Sequence, residues 1–103
     1  MLIAIAANEN YPKAFIDMHF GRCDWYCLFD TETRESSFIE NPMRHHEANA
    51  GCDAAKFLTD KGIGMAVAGR FGSKVVDEFR NRNIQMVIPE TQQTIEEFIN
   101  HIK

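Results

Sequence analysis

The chain has 103 residues, 11 of them Lys or Arg and 15 Asp or Glu, for a formal charge of −4. That balance argues against a protein that coats nucleic acid by neutralising phosphates and against an anionic membrane surface as partner. An apolar fraction of 45% with 25% charged residues is the composition of one globular domain, here residues 1–103, with a single core.

Three cysteines cannot all pair, so no disulfide framework is implied and a reducing, cytoplasmic setting is expected. Met1–Ala7 (MLIAIAA) lacks a basic leader and stops at Asn8-Glu9-Asn10. It reads neither as a signal peptide nor as a membrane span.

Leu2–Ala7 is a continuous apolar run, the pattern of a strand buried on both faces. Asn8–Gly21 holds Pro12, shows no sustained period and reads as a long loop. Asp24–Asp30 (DWYCLFD) and Glu35–Glu40 flank the polar turn Thr31–Arg34 and read as a hairpin, which Asn41-Pro42 ends. Met43–Ala50 is a His-rich loop. From Cys52 onward, Ala54, Ala55, Phe57 and Leu58 fall at helical spacing, and Gly62 stops that helix. Gly64–Ala68 is a second buried strand. Ser73 is the expected N-cap of a helix carrying Val75, Val76 and Phe79, which ends near Asn83. Ile84–Ile88 is a third buried strand, stopped by Pro89. Thr94 with Glu97 is a capping box opening a last helix through His101, with Ile95, Phe98, Ile99 and Ile102 inward. The order β-β-β-α-β-α-β-α, with right-handed crossovers, predicts an α/β fold: a five-stranded mixed sheet, order 3-2-1-4-5, between helices on both faces.

The residues that can carry chemistry begin at His19-Phe20-Gly21-Arg22, where a loop enters a strand. His19 offers an imidazole to a soft metal, Gly21 lets a backbone approach, and Arg22 presents a fork to an anion. A turn with a solvated His and a surface Arg accounts for the same spacing. Cys23 and Cys27 form C-x₃-C, neither a thioredoxin nor a zinc-knuckle spacing. In a strand, Cys23, Trp25, Cys27 and Phe29 share one face. Cys27 is expected to be a buried small hydrophobe. Cys23, at the strand mouth beside Arg22, is expected to be partly exposed and activated. Cys52 follows Gly51 at a helix start, which favours a thiolate. Inert thiols are the alternative for both. His45-His46-Glu47 offers two imidazoles and a carboxylate, but adjacent residues rarely face one ion, so a solvated loop is expected there; His101 is expected at the surface. The turns at Ala50-Gly51 and Gly69–Gly72 lead into helices and present N–H groups to an anion. Neither matches a nucleotide fingerprint, and tight packing explains both equally.

Taken in order, these pieces resemble the dinitrogenase iron–molybdenum cofactor biosynthesis family, the small NifX/NafY-like proteins. The resemblance rests on the first apolar strand, on His19-Phe20-Gly21-Arg22 followed by the aromatic strand Trp25–Asp30, and on Asn41-Pro42 after the hairpin. It continues through Ala50-Gly51, the end of the family's G-A-G turn, then Leu58–Gly69 (LTDKGIGMAVAG) and Gly72–Ile88. Asn49 stands where the family has the first Gly of that turn, Ser73 where it has Pro, and Asn83 where it has Gly. The three cysteines occupy positions where the family does not regularly have Cys.

The resemblance implies a ribonuclease H-like three-layer α/β/α domain. It implies a non-catalytic protein that binds or carries an iron–molybdenum or related metal–sulfide cluster, with donor and acceptor proteins as partners. His19, Gly21, Arg22 and Gly51 are the expected cofactor contacts; His19, Cys23 and Cys52 are the candidate metal ligands. These residues are expected to line one depression at the carboxyl end of the parallel strands. Two other classes compete: a thiol redox protein built on Cys23 and Cys52, and a regulatory or scaffold module without a ligand. A two-metal nuclease needs converging carboxylates, and Leu2–Ala7 supplies none.

Overall fold

Strand β1 (Leu2–Ala7) lies at the centre of a five-stranded sheet and is buried from Ile3 to Ala7. The computed structural model describes residues 1–46 and 48–102. β1 pairs antiparallel with β2 (Trp25–Asp30), placing Ile5 opposite Cys27, and β2 pairs with β3 (Ser36–Glu40). After helix α1 (Ala50–Thr59), strand β4 (Ile63–Val67) joins the other side of β1 in parallel, with Val67 beside Ile5. Helix α2 (Ser73–Asn81) leads to β5 (Gln85–Val87), parallel to β4, and helix α3 (Ile95–Asn100) closes the chain. The sheet order β3-β2-β1-β4-β5 and its mixed pairing are those expected from the sequence.

The period of two along β1 builds two cores. Ala4 and Ala6 face one side, where Ala54, Ala55 and Leu58 of α1 and Val75 and Phe79 of α2 pack with Phe20 and Tyr26. Ile3, Ile5 and Ala7 face the other, with Cys27, Phe29, Val67 and Ile95. Alanines at the first face let two helices lie close to the sheet; isoleucines fill the space above the single short helix α3. Among the described residues no helix is long and apolar enough to cross a membrane.

Three local expectations are corrected. Ile84–Ile88 is not a strand buried on both faces: β5 spans three residues at the sheet's outer edge and Ile88 is 58% exposed. An edge strand has one unpaired side, and its apolar residues cover that side only in part. Ser73 is not an N-cap. Gly72 holds the extended cap conformation (φ −68°, ψ 156°), and Ser73 is the first helical residue. Helix α1 begins at Ala50, two residues before Cys52, from Asn49 in the left-handed region (φ 61°). Asn83 ends the α2 turn in the same region (φ 59°). Asn tolerates that conformation best among non-glycine residues, so both asparagines do what glycine does at these places in the resembled family. The capping box at Thr94 and Glu97 is formed as expected, the Thr94 hydroxyl accepting from the Glu97 N–H and the Glu97 carboxylate from the Thr94 N–H.

Candidate functional site

The long loop after β1 is knitted across the carboxyl ends of the parallel strands. Asp17 N–H donates to the Ala6 carbonyl (2.8 Å), Gly69 N–H to that of Asp17 (2.9 Å) and Arg70 N–H to that of Met18 (2.7 Å). His19 and Arg70 then pair as a parallel bridge. The next residue, Phe20, turns inward and anchors the segment. Its ring lies 5.3 Å from those of Phe71 and Phe79 and 5.6 Å from that of Tyr26. Its carbonyl accepts from the Tyr26 hydroxyl and, at 3.4 Å, from the Cys23 thiol.

Gly21 then crosses Gly51 with backbone against backbone. That crossing sets Arg22 beside the start of α1. A depression of about 350 Å³ opens there, lined by Arg22, the Asn49–Cys52 segment and the Gly72–Val75 segment. Helices α1 and α2 both begin at it. Neither N-cap residue, Asn49 or Gly72, caps its helix with a side chain, and the first N–H groups of a helix have no partner within it. Two helix starts, Arg22 and Lys74 make the place electropositive, and the described residues lining it include no carboxylate. The Arg22 guanidinium donates to the His46 carbonyl. The His46 ring meets the Asp53 carboxylate, on the first turn of α1, at 3.0 Å.

A second, larger depression of about 510 Å³ lies at the ends of β1, β4 and β5, lined among others by Asn8, Phe15, Asp17, Met18, Glu90 and Gln93. Its described lining carries two carboxylates and no Lys or Arg. The two places therefore have opposite electrostatic character, and only the smaller suits an anion.

Of the residues singled out from the sequence, Gly51, Cys52 and Arg22 meet at the smaller depression and Gly21 supports it from beneath. His19 and Cys23 do not line it. The His19 side chain is 62% exposed and stands near Asp17, whose carboxylate accepts the His19 backbone N–H. Cys23 corrects the expectation of a partly exposed, activated thiol: it is 1% exposed, and burial pushes its thiol up to about 12. It also does not share the face of Cys27, because β2 begins only at Trp25 and strand alternation does not reach back to it. Cys27 is buried as expected, its thiol likewise raised to about 12 by burial. Cys52 is half-buried. In the His45-His46-Glu47 group, His46 is taken by Asp53 and Glu47 lies outside the described residues. Among the described residues no three of His, Cys, Asp and Glu converge as a metal site. His101 is at the surface as expected.

Sequence reasoning passed over Lys74 and the Asn49 and Gly72 caps. The available signal was the paired small-residue entries into α1 and α2; what it lacked was that the two helix starts lie side by side.

The sequence matches the family described as dinitrogenase iron-molybdenum cofactor over residues 1–103. No curated protein matches it. Among solved structures, the apo form of the orange protein from Desulfovibrio gigas is similar at 22% identity and a TM-score of 0.89, covering 96% of this chain and 83% of that one. A Thermotoga protein provisionally described as NifB is similar at 19% identity and a TM-score of 0.81, covering 96% of this chain and 84% of that one. At these identities the likeness is one of fold.

Proposed function

The chain belongs to the dinitrogenase iron–molybdenum cofactor family, and from that premise we propose that it binds an anionic metal–sulfide cluster in the depression between the starts of α1 and α2. It holds or hands on the cluster without turning it over, between a donor and an acceptor protein in a reducing, cytoplasmic setting. The observation that carries this reading is the meeting of two side-chain-uncapped helix starts with Arg22 and Lys74, in a lining whose described residues carry no carboxylate, on a chain whose net charge is −4.

The chemistry fits the ligand. A sulfide-rich cluster spreads negative charge over soft, weakly basic sulfur. It is held by N–H donors and cations that compensate that charge, and by a thiolate or imidazole that completes the coordination of the metal. The N–H groups of Ala50–Cys52 and Ser73–Val75 serve as the donors, Arg22 and Lys74 as the cations, and Cys52 as the thiolate ligand. Gly21 lets the Arg22 loop cross close against α1, and Gly51 lets the start of α1 lie against Val75 of α2. His19, which stands beside Asp17 and does not line the depression, has no part in this reading. Cys23 takes no part, since its thiol is buried and held protonated. For the same reason Cys23 and Cys52 do not form a ready redox pair.

The test is anaerobic titration with tetrathiomolybdate, followed by visible absorbance. Wild type binds; Arg22→Ala and Lys74→Ala each weaken binding about tenfold, and Glu90→Gln in the other depression leaves it unchanged. No binding by wild type, or binding by both cation variants as tight as that of wild type, overturns the reading.

A further inference from the structure

Asn41 is the one buried polar or charged residue among those described, at 0% exposure. A polar side chain so placed is stable only when its hydrogen bonds are made. Its side-chain N–H groups donate to the carbonyls of Gly21 and Cys23, both at 2.9 Å. These are the two residues on either side of Arg22. One amide nitrogen thus grips the backbone on both flanks of that arginine. The Asn41 side-chain oxygen accepts from the Met43 N–H at 3.0 Å. Its backbone carbonyl accepts from the Arg44 guanidinium at 3.1 Å. Both bonds pin the start of the segment that runs to His46. The carbonyl of His46 in turn accepts from the tip of Arg22.

We propose that Asn41 is the positioning residue of the anion site: it fixes the root of Arg22 through Gly21 and Cys23, and the tip of Arg22 through the segment that ends at His46. An exposed arginine loses rotamer freedom on binding a ligand, at a cost in affinity. Holding both ends beforehand removes most of that cost. Asparagine suits the task because its amide offers two donors and an acceptor on one rigid plane. Asp would set a carboxylate against two carbonyl oxygens, and Ser has a single donor for the two.

This inference rests on the reading of the depression as an anion site, and its test separates the two. Arg22 Nε–H relaxation is measured by NMR in the wild-type protein without ligand, and again in Asn41→Ser and Asn41→Ala. Tetrathiomolybdate affinity is measured for the same proteins, for Arg22→Ala and for the double variant Asn41→Ser/Arg22→Ala. An ordered Arg22 Nε–H in wild type that becomes mobile in Asn41→Ser is the expected result. With it go a loss of affinity of about tenfold in Asn41→Ser and no further loss when that change is added to Arg22→Ala. A purely structural residue would weaken binding in the Arg22→Ala background as well. A mobile Arg22 in wild type overturns the inference, and that measurement needs no variant to fold. So does an Arg22 equally ordered in a folded Asn41 variant, or additive losses in the double variant. If wild type binds no tetrathiomolybdate while Arg22 is ordered through Asn41, the site reading fails and the positioning geometry stands.

Discussion

Gly21 and Gly51 lie backbone against backbone: a Cβ built on Gly21 would stand 2.5 Å from the Cα of Gly51 and 2.6 Å from its nitrogen. This crossing joins the loop that carries Arg22 to the helix whose N–H groups form one wall of the site. Neither backbone can yield as a flexible side chain would. Gly21→Ala is therefore expected to lower stability by about 1–3 kcal/mol and to weaken tetrathiomolybdate binding by pushing Arg22 from α1. Gly62→Ala is the comparison. Gly62 has φ +88° and nothing near its missing Cβ, so that change strains the backbone by about 1 kcal/mol and leaves binding intact. Urea unfolding of both variants checks this; equal effects of the two on binding would contradict it.

The three thiols are expected to separate in reactivity. Cys52 reacts with iodoacetamide in the folded protein, while Cys23 and Cys27 react only on unfolding, because both are buried. Burial raises the latter two from 9.0 to about 12. The fold thus favours their protonated forms. Their contribution to stability is complete below the ordinary thiol value and is lost as pH rises from 9.0 towards about 12. Unfolding free energy followed across that range in the Cys52→Ser variant checks the sign. Stability that stays flat across the same range would contradict it.

Much of this was legible in the residues. Leu2–Ala7 declared a central strand because every position is apolar, and the Asn83 turn and the Thr94–Glu97 box follow from local chemistry alone. Ile88 misled because an apolar run looks the same at a sheet edge as at its centre, and only pairing tells them apart. Cys23 misled because its alternation was counted from a strand that starts two residues later. Phe20 explains why His19 and Arg22 part company: the aromatic anchor between them goes into the core, leaving one on the Asp17 side and the other beside α1. Lys74 is silent in the sequence, and Asn41 shows there only as half of the Asn41-Pro42 strand stop, not as a buried amide. Their roles depend on contacts between segments that are more than 15 residues apart along the chain.

The capping box gives a prediction in the acid range. The Glu97 carboxyl is held below its ordinary value, chiefly by the Thr94 backbone N–H that it accepts from and next by the Thr94 hydroxyl. A lowered folded value means stability present above the ordinary Glu range and lost as pH falls through the lowered one. Thr94→Ala is expected to cost about 1 kcal/mol at neutral pH. The gap between wild type and Thr94→Ala should narrow as pH falls through that range. Thermal melts of both proteins from neutral to acid pH measure it, and a gap that widens towards acid would contradict the assignment.

The central claim is where the anion goes, and backbone amide mapping tests it most directly. Tetrathiomolybdate is added without oxygen to the ¹⁵N-labelled protein, and amide shifts are followed residue by residue. The account predicts the largest changes at Ala50, Gly51 and Cys52 and at Ser73, Lys74 and Val75, with the Arg22 Nε–H moving in step. Changes centred instead on Asn8, Asp17 and Gln93 in the acidic depression, or no saturable change anywhere, would contradict it.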